Sequence, residues 1–185
     1  MGNTEKKKNV LKTLLDDLNS GNISKIKKAL KSLQINGNVH VIKPLVDVLK
    51  SKVSPEVDVE IVNFLSDLKD TSVKEELISI LNDEEYLDVR HQLLTSIWNC
   101  KIDYSEFIAE FVAIACDGNF METFECLTIL ENLEGPFEER HILECQLHLK
   151  EYIESNSATD NQKAQVMSDI ASLIKSFDLE ADDDY

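Results

Sequence analysis

Apolar helical segments recur along this chain at a nearly constant interval, and that repeat limits the fold more than any other feature. One series has offsets of 32, 34 and 34 residues and comprises PLVDVL (44–49), ELISIL (76–81), EFVAIA (110–115) and ECQLHL (144–149). A second series has offsets of 32, 32 and 33 residues and comprises Leu33, Leu65, Ile97 and Leu130. A period near 33 residues leaves room for two helices of about 12–15 residues and short turns, which is typical of an α-solenoid built from stacked helix pairs.

The repeat and the turn residues between its members predict the helices. First helices of the pairs are expected at about 23–34, 55–68, 86–99 and 119–132, and second helices at about 39–51, 71–82, 104–116 and 137–154. A leading helix (about 4–19) and a final helix (about 159–177) cover the ends. The expected fold class is therefore all-α, an α-α superhelix of about four helix pairs with capping helices. It forms one domain over 1–177, followed by a disordered acidic tail over 178–185.

The same periodicity predicts which side chains are buried. The core positions expected from the two series are Leu45, Leu49, Leu65, Leu77, Leu81, Ile97, Phe111 and Leu130. Trp98 lies four residues after Leu94 on the apolar stripe of its helix, so it is expected in the core as well.

Two stretches at the starts of first helices resemble the junctions of one known repeat family. LNDEEYLDVRHQLLTSIW (81–98) and SPEVDVEIVNFLSDL (54–68) are similar to the acidic turn and helix start of HEAT repeats. The tetratricopeptide repeat has a similar length, but its Trp-Leu-Gly-Tyr and Ala-Phe-Pro positions have no consistent counterpart here. The HEAT resemblance implies that Arg90 pins adjacent repeats through charge-assisted hydrogen bonds to Asp83 or Asp88. In the other junction Asp58 stands where the arginine is expected.

Net charge separates the two ends of the sequence. Residues 1–52 hold 11 Lys against 4 acidic residues, a formal charge of +7, whereas residues 53–185 hold 8 basic residues against 31 acidic ones, a formal charge of −23. Such an acidic molecule should repel nucleic acid and anionic lipid. Net repulsion and salt screening favour a monomer. No apolar run reaches the roughly 18 residues of a membrane span, and the four cysteines form no C-x-x-C pair, so we expect a cytoplasmic protein with reduced thiols.

Outward positions of the second helices predict the functional surface. In an α-solenoid the second helices line the concave side, which forms a long groove. The outward residues that we expect to contact a partner are His40, Lys43, Asp47, Lys74, Glu75, Glu106, Glu110 and Glu144, and Glu151 continues the series. The sequence therefore predicts a non-enzymatic scaffold or adaptor without a cofactor, which binds a basic protein or peptide.

One cluster of side chains supports an alternative. His141, Cys145 and His148 lie at positions i, i+4 and i+7 of one predicted helix, a spacing that puts potential zinc ligands on one face. The alternative function is a metal-binding or enzymatic helical-repeat module that uses these three residues. A buried structural cysteine flanked by two histidines would give the same pattern.

Overall fold

The computed structural model describes residues 2–36, 39–155 and 161–183, and these ranges contain no β-strand. The described residues form ten α-helices: α1 (Gly2–Leu18), α2 (Ile23–Asn36), α3 (Ile42–Lys50), α4 (Pro55–Ser66), α5 (Lys74–Leu81), α6 (Arg90–Asn99), α7 (Ile108–Asp117), α8 (Phe120–Glu131), α9 (Glu139–Ser155) and α10 (Asn161–Asp183). Short 3-10 helices precede four of them: η1 (Val39–Val41), η2 (Thr71–Val73), η3 (Glu84–Tyr86) and η4 (Ser105–Phe107). The all-α prediction is confirmed.

The chain forms two compact units, 1–100 and 101–185, which we call unit 1 and unit 2. In unit 1, α2, α4 and α6 pack side by side in one row, and α3 packs beside α5. In unit 2, α7 packs beside α9, and α8 packs beside α10. In unit 1 first helices therefore contact first helices, and in both units second helices contact second helices. A single domain over 1–177 stays a prediction.

The core residues expected from the repeat are all buried, which confirms the helical register. Leu45, Phe111 and Leu130 have no exposed surface, and the other five are at most 3% exposed. The prediction for Trp98 is wrong, because its side chain is 40% exposed. Ile97 takes the core-facing position, and neighbouring helical residues point about 100° apart, so the large Trp98 in the last turn is left at the surface.

Polar residues at the helix ends explain where several helices begin. Ser54 caps α4 by accepting a hydrogen bond from the Val57 backbone N–H, and Pro55 occupies the first helical position. Asn119 and Glu122 form a reciprocal capping box at the start of α8. These caps lie in the turns that the sequence pattern marked as boundaries.

Several boundaries differ from the prediction. The second helices expected from about 39, 71 and 104 begin at Ile42, Lys74 and Ile108, because a 3-10 helix precedes each of them. The helix expected over 86–99 begins only at Arg90, because residues 84–86 form η3, whose first turn is capped by the Asp83 carboxylate. The final helix, expected to end at 177, continues to Asp183. Residues 179–181 are Leu, Glu and Ala, which all favour helix, so the described backbone of 178–183 is helical where a disordered tail was expected.

Candidate functional site

The residues predicted to contact a partner lie on two separate helix-pair surfaces, one in each unit. The α3/α5 surface of unit 1 comprises the outward residues His40, Lys43, Asp47, Lys74 and Glu75. The α7/α9 surface of unit 2 comprises the outward residues Glu106, Glu110, Asp117, Glu144 and Glu151. Most of these side chains are exposed, while Lys74 and Glu110 are half-buried. The charged residues of the two surfaces differ in the contacts that they make.

On the α3/α5 surface, a buried tyrosine engages two of the predicted contact residues. Tyr86 of η3 is 1% exposed, and its hydroxyl donates a hydrogen bond of 2.6 Å to Asp47 Oδ1 while accepting one from Lys43 Nζ. The hydrogen bond to Asp47 raises the pKa of the Tyr86 phenol, and the hydrogen bond to Tyr86 raises the pKa of the Lys43 ammonium. Lys43 and Asp47 thus hold η3 against α3.

The acidic turn before α6 makes further contacts with lysines at the end of α3. Lys50 Nζ lies 2.8 Å from Glu85 Oε1, and Lys52 Nζ lies 3.4 Å from Asp88 Oδ2. These ion pairs give Asp88 a structural contact between consecutive repeats, although its partner here is a lysine. Arg90 is the half-buried first residue of α6, and its bonding to Asp83 or Asp88 stays a prediction.

The α7/α9 surface differs, because most of its carboxylates are not neutralised. Glu110 and Asp117 lie seven residues apart on α7, and Glu144 and Glu151 lie seven residues apart on α9, so each helix presents two acids on one face. None of these four carboxylates forms an ion pair with a residue that the structure describes. The two helices pack side by side, so the surface carries two neighbouring acidic rows.

The three residues of the metal alternative have different environments. Cys145 is completely buried, and burial, followed by the charges of Glu144 and Glu110, raises the pKa of its thiol to about 12. Nδ1 of His141 is buried and finds no hydrogen-bond partner among the described residues. His148 is half-buried beside a cleft. Across 2–36, 39–155 and 161–183 no group of three or more His, Cys, Asp or Glu side chains is placed to hold a metal ion.

That cleft, of about 640 Å³, lies along the C-terminal halves of α7 and α9. Its lining residues are Ala113, Cys116, Asp117, His148, Glu151, Tyr152, Ser155 and Lys163. Lys163 of α10 donates hydrogen bonds to the carbonyls of Cys116 (2.7 Å) and Gly118 (2.6 Å), and so caps the end of α7. Gly118 is required there, because a Cβ would lie 2.7 Å from the Ile114 carbonyl oxygen.

The thiol in the cleft is not activated for nucleophilic chemistry. Cys116 Sγ lies 3.7 Å from the His148 carbonyl oxygen, to which it donates a weak hydrogen bond. Burial and the charge of Asp117 raise the pKa of the thiol to about 11, against the opposing effect of Lys163. Because the thiolate is the nucleophile, Cys116 is a poor one at neutral pH.

Some residues of this site were predicted from the sequence, and others were not. Glu110, Glu144 and Glu151 were predicted, and adding seven residues to Glu110 gives Asp117 on the same face. Asp117 follows the predicted end of its helix at about 116, so the spacing was not applied to it. Lys163 could not be found from periodicity, because its position depends on how a helix some 45 residues later in the sequence packs against α7.

Comparison with known protein families, with curated proteins and with solved structures gives no match for this sequence. The resemblance to HEAT repeats therefore rests on the two junction sequences quoted above. Within the described part of the chain, no helix is both long and apolar enough to cross a membrane.

Proposed function

We propose that this protein is a non-enzymatic scaffold or adaptor that binds a basic segment of another protein along the α7/α9 surface. The observation that carries the proposal is the set of carboxylates on this surface that no described residue neutralises. The proposed architecture is a HEAT-like α-α superhelix in a single domain. Its second helices would form the concave, partner-binding side.

The distribution of charge between the units supports this choice of surface. Unit 1 has 14 basic and 15 acidic residues, a formal charge of −1, whereas unit 2 has 5 basic and 20 acidic residues, a formal charge of −15. Nearly all of the net charge of −16 thus lies in unit 2. Concentrated charge of one sign raises the association rate with an oppositely charged partner and repels nucleic acid.

Other parts of the proposal follow from the same charges and from the cysteines. The net repulsion between copies favours a monomer of 21.0 kDa, because end-to-end attraction between exposed charges is screened within about 8 Å at physiological salt. The four cysteines form no disulfide bond with one another, which supports a cytoplasmic location where thiols stay reduced.

A binding titration tests the proposed function. A fluorescein-labelled nonapeptide that alternates Arg and Ser is titrated with the full chain at about 150 mM salt, and anisotropy gives Kd. We expect the double variant Glu110→Lys/Glu144→Lys to weaken binding at least tenfold, since it reverses the charge on both helices. The matched control, Glu75→Lys/Glu84→Lys, changes net charge equally but lies in unit 1, and it should weaken binding less than about threefold.

Either of two results would refute the proposal. An equal loss for both double variants would mean that the peptide responds only to net charge. Absence of binding by the parent chain, while an acidic control protein of similar net charge binds the peptide, would mean that the α7/α9 surface does not accept a basic segment.

A further inference from the structure

The cleft beside the α7/α9 surface contains groups that suit one class of ligand. Asp117 and Glu151 contribute carboxylates that no described residue pairs with, and Tyr152 contributes an aromatic ring. The ammonium of Lys163 is committed to two backbone carbonyls at 2.6–2.7 Å. With histidine counted as neutral, the lining has a formal charge of −1. The lining therefore carries an excess of one negative charge.

We propose that this cleft binds a guanidinium group, supplied by an arginine side chain of the basic segment that docks on the α7/α9 surface. The inference deepens the proposed function and rests on it for the source of the arginine. Asp117 and Glu151 would accept the hydrogen bonds of the guanidinium, and Tyr152 would contact its flat face.

The arrangement of the carboxylates favours a guanidinium over an ammonium group. Asp117 is the last residue of α7, and Glu151 lies on α9, so the two acids approach the cleft from different helices. A guanidinium has five N–H donors in one plane and can bridge two carboxylates, whereas an ammonium is a compact point charge. The Tyr152 ring already has the Lys163 ammonium 5.3 Å from its centroid, so cations are accommodated beside this ring.

The size of the cleft and the potential inside it agree with this ligand. A volume of about 640 Å³ is within the range of roughly 300–1,000 Å³ found for small-molecule sites, and is far more than a bare ion needs. Burial is the main cause of the raised pKa of the Cys116 thiol, and the charges of Asp117 and Glu151 raise it further against the opposing effect of Lys163.

A small probe tests the cleft without depending on a peptide. N-acetyl-L-arginine amide is titrated into the ¹⁵N-labelled full chain, and amide shifts of residues 113–118 and 148–155 give the affinity. N-acetyl-L-citrulline amide, which has the same shape without the charge, and Nα-acetyl-L-lysine amide are the comparison probes. We expect the arginine probe to bind at least tenfold more tightly than citrulline and severalfold more tightly than lysine.

Paired protein variants locate the site. Asp117→Asn/Glu151→Gln should weaken binding of the arginine probe at least tenfold. Glu106→Gln/Glu144→Gln removes the same charge from the α7/α9 surface outside the cleft and should weaken it less than about threefold. Both pairs alter exposed side chains, and circular dichroism confirms that each variant is folded.

Three outcomes would overturn the inference: equal affinity for arginine and citrulline, equal affinity for arginine and lysine, or equal loss in the two paired variants. None of them refutes the proposed function, because a basic nonapeptide can bind the α7/α9 surface without placing a side chain in the cleft. Conversely, shifts caused by the arginine probe would still show a guanidinium site in the cleft, even if no peptide bound to the α7/α9 surface.

Discussion

In both unit 1 and unit 2 the second helices pack side by side, but the two units differ in how far their charged residues are paired. In unit 1 lysines join neighbouring elements: Lys27 of α2 lies 2.9 Å from Glu56 and 3.1 Å from Glu60 of α4, and Lys50 lies 2.8 Å from Glu85. In unit 2 the acids outnumber the bases fourfold, 20 to 5, and Glu110, Asp117, Glu144 and Glu151 form no ion pair with a described residue. Acids and bases therefore pair with each other in unit 1, whereas these four carboxylates of unit 2 have no such pairing among the described residues.

This difference shows why composition alone is a poor guide to a binding surface. The +7 charge of residues 1–52 suggests a basic patch, yet Lys27, Lys43, Lys50 and Lys52 all have acidic partners within unit 1. Exposed ion pairs contribute little to stability, and they reduce the local potential that an anionic partner would experience. The uncompensated charge lies in the other unit.

The largest expected changes in the free energy of unfolding come from substitutions in the core. These changes should be similar in the two units. Leu77→Ala in unit 1 should lower the free energy of unfolding by about 2–5 kcal/mol, and Phe111→Ala in unit 2 by about 3–5 kcal/mol, because both side chains are at most 2% exposed. Urea unfolding followed by circular dichroism measures both. Val59→Ala, at a side chain that is 59% exposed, is the control and should change it by less than about 0.5 kcal/mol. Losses below about 1 kcal/mol at both core sites would mean that the helical register is wrong.

The next largest change in the free energy of unfolding is expected at a lysine of unit 2 that caps a helix, compared with an exposed lysine of the same unit. Lys163→Met should lower the free energy of unfolding by about 1–3 kcal/mol, because the carbonyls of Cys116 and Gly118 lose their donor. Lys150→Met makes the same chemical change where the side chain is 69% exposed, and should be near neutral. Equal unfolding curves for the two variants would show that the cap on α7 is not formed in solution.

A smaller effect is expected at the tyrosine of unit 1. Tyr86→Phe keeps the buried ring but removes the hydroxyl that bonds Lys43 and Asp47, and should cost about 1 kcal/mol. Peptide binding should not change, because the hydroxyl belongs to the α3/α5 surface. A loss of peptide affinity with unchanged stability would mean that the α3/α5 surface binds the peptide and that the Tyr86 hydroxyl does not stabilise the fold.

The smallest effect concerns the thiol in the cleft. With a pKa of about 11, Cys116 is about one-thousandth thiolate at pH 8, so its alkylation by iodoacetamide should be slow and should accelerate about tenfold per pH unit up to that pKa. Asp117→Asn removes a negative charge that raises the pKa, and should speed alkylation a few-fold at pH 8. Peptide mapping by mass spectrometry distinguishes Cys116 from the other cysteines. An unchanged rate in the variant would mean that Asp117 does not act on the cleft.

The sequence predicted the parts of this molecule that follow from local periodicity. Helix positions and core residues such as Leu65 and Leu130 depend on apolar spacing along one helix, and they are confirmed. Trp98 shows the limit of that approach, because the spacing placed it on the apolar stripe and only the packing of Ile97 beside it decides which side chain is enclosed.

The candidate site was predicted less completely, because it depends on contacts between distant segments. Spacing identified acids on α7 and α9, but not that Lys43 and Asp47 bond to Tyr86, which lies 43 and 39 residues away. The cleft required a third helix, α10, to bring Lys163 to the end of α7. Such pairings are properties of packing, and a repeat pattern does not encode which outward side chains are neutralised.

Chemical-shift mapping of the full chain with the Arg-Ser nonapeptide shows directly whether a basic segment binds the α7/α9 surface or the α3/α5 surface. We expect shifts at amides of 106–117 and 144–155, on the α7/α9 surface, while amides of 40–50 and 74–81, on the α3/α5 surface, stay within experimental error. Shifts concentrated at 40–50 and 74–81, or spread evenly over both surfaces, would contradict the division of charge into structural use in unit 1 and binding use in unit 2.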